Sequence, residues 1–228
     1  MALLALVALL PVVIVCSYVY YRDKNDREPL WALAISFFLG ILSVIPAYFL
    51  EKAFLQPAAS NISGMVFYCF LVVGFSEEIS KYFFLRVYSY RLKAFNEPFD
   101  GIIYSVMVSM GFAAAENILY VMDGGMGVGI MRAFTAIPAH ATFAVAMGYY
   151  IGLAKFKSTK MNATVYHLIG LALAVTFHGF YDFFLFTNSE LGMFAGAFIT
   201  LIAGIYFSFK AMRLHKNRMD EHIPPAQV

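Results

Sequence analysis

Residues 65–85 read MVFYCFLVVGFSEEISKYFFL: eleven residues apolar enough for a membrane core, then Glu77, Glu78 and Lys81 within five positions, then apolar residues again. Read as a membrane-spanning helix, the stretch places three charges inside the bilayer; read as a loop, it removes one span and inverts everything after it. Composition favours the first reading. Of 228 residues, 61% are hydrophobic and 13% are charged, about half the ~25% charged share of an ordinary soluble domain, and the mean hydropathy is +0.73. Backbone polar groups in hydrocarbon must be satisfied within the spanning segment, which makes such a chain an all-α polytopic bundle. The lipid bilayer is its first partner. A net charge of +2 gives no reason to expect nucleic acid.

Seven apolar segments approach the ~20 residues that cross a bilayer. They fall near 2–21, 30–50, 64–86, 99–121, 130–153, 163–186 and 191–209. The first, in MALLALVALLPVVIVCSYVYYR (1–22), lacks the basic start of a signal peptide and has span length, so it is expected to be retained as a helix. Basic residues then order the topology. Arg22, Lys24 and Arg27, then Arg86, Arg91 and Lys93, then Lys155, Lys157 and Lys160, then Lys210, Arg213, Lys216 and Arg218 fall on one side; only Lys52 and Arg132 fall on the other. Thirteen against two predicts an outside N-terminus and a cytoplasmic C-terminus. The alternation holds only if residues 64–86 span. The expected organisation is one bundle over 1–210 and a cytoplasmic tail over 211–228, in a cell membrane.

Short connections leave no soluble domain, so function must lie within the bundle. Cys16 and Cys69 sit in separate apolar stretches without metal-type spacing and read as small core residues. DGGMGVG (123–129) lacks the strand and helix context of a nucleotide loop and reads as a flexible connection. GMFAG (192–196) is a small-residue face for helix packing.

Ionisable groups at membrane depth cost about 2.5–3.5 kcal/mol each, and they are usually paired and functional. Here they are Glu77, Glu78 and Lys81 in the third segment, Glu116 beside Asn117 in the fourth, His140 in the fifth, and His178 and Asp182 in the sixth. At ~1.5 Å per residue, Glu116 lies roughly 8 Å from the outer end of its span, His178 about 12 Å, His140 about 15 Å, and Glu77 and Glu78 about 20 Å. That convergence predicts one shared polar centre. Lys81 can share a helix face with Glu77 (i, i+4) and Glu78 (i, i+3), and Asp182 stands where it can orient the His178 ring. Pro138 should kink the fifth helix near His140. Asp100 suits the start of the fourth helix, and His167 reads as structural.

Carboxylates and imidazoles in a dry cavity suit hydrolysis, with a glutamate deprotonating water and the histidines with another carboxylate binding a metal such as zinc or stabilising an oxyanion. The same inventory suits a proton-coupled or cation transporter, although no inverted repeat is visible. It also suits a non-catalytic scaffold locked by buried ion pairs.

Four blocks narrow these alternatives. GFSEEISKYFFLR (74–86), EPFDGIIYSVMVSMGFAAAENILY (97–120), IPAHATFAVAMGYYIG (137–152) and FHGFYDF (177–183) resemble, in order, the signature blocks of the PrsW family of bacterial intramembrane proteases. That family is distantly similar to the CAAX prenyl endoproteases. The resemblance implies site-1 cleavage of a single-span membrane protein, an anti-sigma factor, in envelope-stress signalling. It implies Glu77, Glu78 and His178 as catalytic residues, supported by Lys81, Glu116, Asn117, His140 and Asp182, with Glu116, His140 and His178 as ligands if a metal is bound. Which of the paired glutamates acts as base stays open here, because adjacent helical residues point about 100° apart. The HExxH spacing of soluble metalloproteases is absent, so metal and metal-free chemistry both fit. One departure is visible: Ser105 follows FDGIIY where a glycine is expected, which should widen a helix contact slightly.

Overall fold

The computed structural model describes residues 2–23, 26–54, 61–156, 160–186 and 190–220, apart from the side chains of residues 2, 160, 161, 190–195, 197 and 215–220. Lys24, Lys157, the side chains of Lys160, Lys216 and Arg218, most of GMFAG and the tail beyond 220 lie outside that description. Every regular element among the described residues is helical. Five stretches are long and apolar enough to cross a membrane: Leu3–Arg22, Leu30–Ala53, Ile62–Arg91, Asp100–Phe156 and Asn162–Leu185. The chain is a multi-pass membrane protein.

Helix α1 covers Ala2–Arg22, α2 Leu30–Leu42 and α3 Val44–Ala53. The last two are one span broken at Ser43. Pro46 has no N–H for the Leu42 carbonyl, and the Ser43 hydroxyl donates to the Gly40 carbonyl at 2.6 Å. The next span starts as α4 (Ile62–Phe67), capped by Asn61, whose side chain accepts from the Gly64 N–H at 2.8 Å. It widens into a π-helix over Tyr68–Phe75 and resumes as α5, Ser76–Val87. The disputed opening stretch is therefore continuous helix, with its charges in the first turns of α5.

Helix α6 (Asp100–Phe134) runs straight into α7 (Ala136–Phe156), α8 covers Lys160–Leu185, and α9 covers Glu190–Asp220. Residues 116 and 132 of a straight helix would stand ~24 Å apart, yet an Arg132 nitrogen lies 2.7 Å from a Glu116 oxygen. The backbone must fold back between them, and it does so at Gly125, with φ 73° and ψ −163°, a conformation that only glycine adopts cheaply. DGGMGVG is thus a tight helical reversal, where the sequence suggested a flexible connection. A second break falls at Thr135 (φ −119°, ψ −73°), three residues ahead of Pro138, which cannot donate to the Phe134 carbonyl.

Helices α6 and α7 form the central pair: α1 and α2 pack on α6, α8 and α9 pack on α7, and the π-helix leans on α8. Every residue from Asp100 to Ala114 is buried. The pair closes on glycine, since a Cβ on Gly101 would stand 2.4 Å from the Gly148 carbonyl oxygen and one on Gly152 would stand 2.1 Å from that of Pro98. Small residues at crossings are how membrane helices gain packing when lipid is as apolar as their side chains. Leu3, Leu6, Leu10 and Ile14 of α1 face outward, as a lipid-facing helix requires.

Candidate active site

The polar residues that the sequence singles out meet between α5, α6, α7 and α8. The π-helix directs the α5 contribution. A π-turn carries one extra residue, which rotates the following helix relative to a continuous α-helix, and such turns recur at functional sites. Gly74 lets this widened turn approach α8: a Cβ there would lie 3.4 Å from the Gly179 nitrogen, next to His178. Both Glu77 and Glu78 consequently face the site. The 100° between neighbours therefore does not exclude either glutamate from the site.

Lys81 sits between them, with Nζ donating to Glu77 Oε2 at 3.0 Å and Glu78 Oε1 at 2.8 Å. It also lies 3.4 Å from His140 Nδ1 and 4.0 Å from the centre of the Phe112 ring. Glu78 Oε1 is further within 3.0 Å of His178 Nδ1. All of these groups are buried: Glu78 is 1% exposed, Lys81 2%, His178 3%, and Glu77 and His140 5% each.

The two imidazoles are presented alike. Each turns Nδ1 toward the Glu78–Lys81 pair and Nε2 toward a carboxylate behind it: Glu116 Oε2 at 3.1 Å from His140 Nε2, and Asp182 Oδ2 at 3.4 Å from His178 Nε2. Carboxylates placed in this way fix the tautomer and ring orientation of ligating histidines. The ring planes are nearly perpendicular, with centroids 5.4 Å apart. Phe143 stacks on His178 at 5.0 Å and meets His140 edge-on at 5.9 Å.

One ligand atom each from Glu77, Glu78, His140 and His178 lies within 4.8 Å of every other. Two carboxylates and two imidazoles suit a divalent metal such as zinc, and the Lys81 ammonium, contacting three of the four, shows that this donor set already converges on positive charge. The sequence-level grouping was Glu116, His140 and His178. The structure instead holds Glu116 one step back, behind His140 and against Arg132.

Arg132 is the member that sequence reasoning missed. Its Nη2 donates to Glu116 Oε2 and its Nε to Asn117 Oδ1, each at 2.7 Å, while Asn117 Nδ2 donates to the Ala8 carbonyl of α1 at 2.9 Å. The signal was available: a reversal centred on residues 124–125 pairs positions 116 and 132. His167 stays apart, its ring edge-on to Tyr82 and Tyr90, and Ser105 packs with Ser109 and Ala144 close to Glu78 and Lys81.

Comparison with known proteins identifies a family. The model of a family described as "PrsW family intramembrane metalloprotease" matches residues 28–212. Protease PrsW of Geobacillus kaustophilus is 35% identical over 189 residues, covering 83% of this chain and 82% of that protein. Protease PrsW of Bacillus subtilis is 37% identical over 176 residues, 77% of this chain and 79% of that one, and Protease PrsW of Clostridioides difficile is 34% identical over 187 residues, 80% and 79%. No solved structure matches the chain.

Proposed function

The chain belongs to the PrsW family and is an intramembrane protease, and from that premise we propose that it makes the first cut in a single-span anti-sigma factor, with Glu77 as general base. The observation that carries the chemistry is the buried convergence of Glu77, Glu78, His140 and His178. The substrate class is supported by the four motif blocks and by the burial of the site between α5, α6, α7 and α8. The distribution of basic residues supports seven passes with the N-terminus outside.

Glu78, His140 and His178 would hold the metal: three protein ligands and an open position are the pattern of catalytic zinc. When bound, the ion would polarise the scissile carbonyl and acidify a water molecule. Glu77 is left to act on water. Its side chain keeps 7% of its surface accessible against 1% for Glu78, whose Oε1 is engaged by both Lys81 and His178. It takes the proton from water and returns it to the leaving amine. Lys81 keeps the two carboxylates together and offers an ammonium to the oxyanion that develops on the carbonyl. Glu116 and Asp182 hold the imidazoles in register, and Phe112 and Phe143 exclude bulk water.

The test is co-expression with a tagged single-span anti-sigma factor. Wild type should release the trimmed fragment, and Glu77→Gln and His178→Ala should lose about 10²–10⁴-fold in rate. Unchanged cleavage in both variants would refute the assignment.

A further inference from the structure

A second buried acidic group lies at the opposite end of α6, ~24 Å along the helix from Glu116. Asp23 follows α1, Glu28 precedes α2, Glu97 lies in the turn before α6, and Asp100 opens α6. Asp23, Glu28 and Asp100 are 2%, 3% and 0% exposed, and one carboxylate oxygen each from Asp23, Glu97 and Asp100 lies within 4.8 Å of the others.

Several of these oxygens have no partner. Asp100 Oδ2 accepts from the N–H groups of Asn96 and Glu97 at 2.7 Å each, and Glu28 Oε2 accepts from the Tyr104 hydroxyl. Asp100 Oδ1, Glu97 Oε1 and both oxygens of Asp23 are buried without a hydrogen bond. The Asp26 and Glu28 amides face the Asp23 carboxylate but close no bond to it.

Among the described residues, the nearby cations Arg27 and Lys155 are committed elsewhere. Arg27 Nε donates to the Asp23 carbonyl at 3.2 Å and its guanidinium lies over Tyr20 and Tyr21. Lys155 donates to the Tyr90 carbonyl at 2.9 Å and lies over Phe95. Among the described residues, none of the four carboxylates has an ion pair. Burial, and then the charges of Asp23, Asp26 and Glu28, push Glu97 up to about 7. Buried carboxylates demand positive charge or protons, and among the described residues side chains supply neither a paired cation nor enough donors.

We propose that Asp23, Glu97 and Asp100 form a site for a hard divalent cation, calcium or magnesium. All-oxygen carboxylate donors select such ions over zinc. Their proximity also allows it, since three oxygens within 4.8 Å of one another are close enough to share an ion held at about 2.4 Å. The ion would clamp the end of α1 to the start of α6, where Asn96 Nδ2 already reaches Asp26 Oδ2 at 2.8 Å. Asn117 fastens the same two helices at the catalytic end, so the cation would complete a second fastening of the α1–α6 pair.

The experiment uses the full chain in detergent, stripped of metal with a chelator and titrated with Tb³⁺ while tyrosine is excited, Tyr104 being bonded to Glu28. The expected result is saturable emission, displaced by Ca²⁺ or Mg²⁺, weakened at least 10-fold in Asp23→Asn and unchanged within 2-fold in His178→Ala. Calcium should also raise the unfolding temperature of wild type and not that of Asp23→Asn, which should itself unfold no lower than metal-free wild type because it loses an uncompensated charge. Should Asp23→Asn fail to accumulate, Asp100→Asn and the calcium-dependent shift of wild type carry the same decision. Absence of saturable emission and of any thermal shift in wild type, displacement by Zn²⁺ alone, or binding by Asp23→Asn as tight as wild type would overturn the proposal.

Discussion

Lys81→Met tests the physical account of the catalytic centre most directly. Lys81 donates to Glu77 at 3.0 Å and to Glu78 at 2.8 Å, at a position only 2% exposed. Methionine keeps the length and loses the charge, leaving two adjacent buried carboxylates. Removing one partner of a buried ion pair costs about 3–5 kcal/mol, and for a chain of this length each 1 kcal/mol moves the unfolding temperature by about 2–4 °C. The variant should therefore unfold roughly 6–20 °C below wild type. Cys69 is fully buried within the π-helix that leads into α5, so a thiol-reactive dye in a Cys16→Ser background reads unfolding at the site. Adding Glu78→Gln to Lys81→Met should recover at least half of the loss, because the unpaired charge is what destabilises. Zinc should protect Lys81→Met more than wild type, since its donors no longer compete with the ammonium. A single variant within about 2 °C of wild type, under 1 kcal/mol, or a double variant as unstable as the single, would refute the reasoning.

Other perturbations follow from the same geometry. Chelation should abolish cleavage, with zinc restoring it, and Glu78→Gln should lower metal content in elemental analysis while leaving the unfolding temperature close to that of Glu77→Gln. Arg132→Ala should reduce cleavage about 10–100-fold by freeing Glu116 from its place behind His140, and Arg132→Lys should recover only part of it, because one ammonium cannot span Glu116 and Asn117 as the guanidinium does; initial-rate cleavage assays decide both. Gly148→Ala forces a Cβ to 2.3 Å from the Gly101 carbonyl oxygen and should cost about 1–3 kcal/mol, whereas Gly127→Ala meets nothing within 4 Å and should be silent in the same thermal assay.

What could be read from the sequence, and what could not, follows from where polarity is costly. Inside an apolar span each of Glu77, Glu116, His140 and His178 stands out, since a bilayer tolerates such groups only when other groups answer them; the number of helices that contribute and their common depth are then legible from spacing. The same logic fails wherever helix geometry departs from its regular period. Nothing in YCFLVVGF distinguishes a π-helix from an α-helix, so the rotation that brings both Glu77 and Glu78 inward could not be derived. Arg132 was hidden for a related reason: it was counted with the residues that set orientation, and only the sharp reversal at Gly125 turns 16 residues of separation into contact with Glu116. The acidic group at the far end was the least legible. Asp23, Glu28 and Glu97 lie in connections, where carboxylates are ordinary, and Asp100 reads as an acidic residue at a helix start. Their burial gathers three unremarkable loop charges and one at a helix start into an electrostatic deficit. A loop acid thus gains meaning from its desolvation, which a sequence does not record, whereas a membrane acid carries its desolvation in the residues on either side of it.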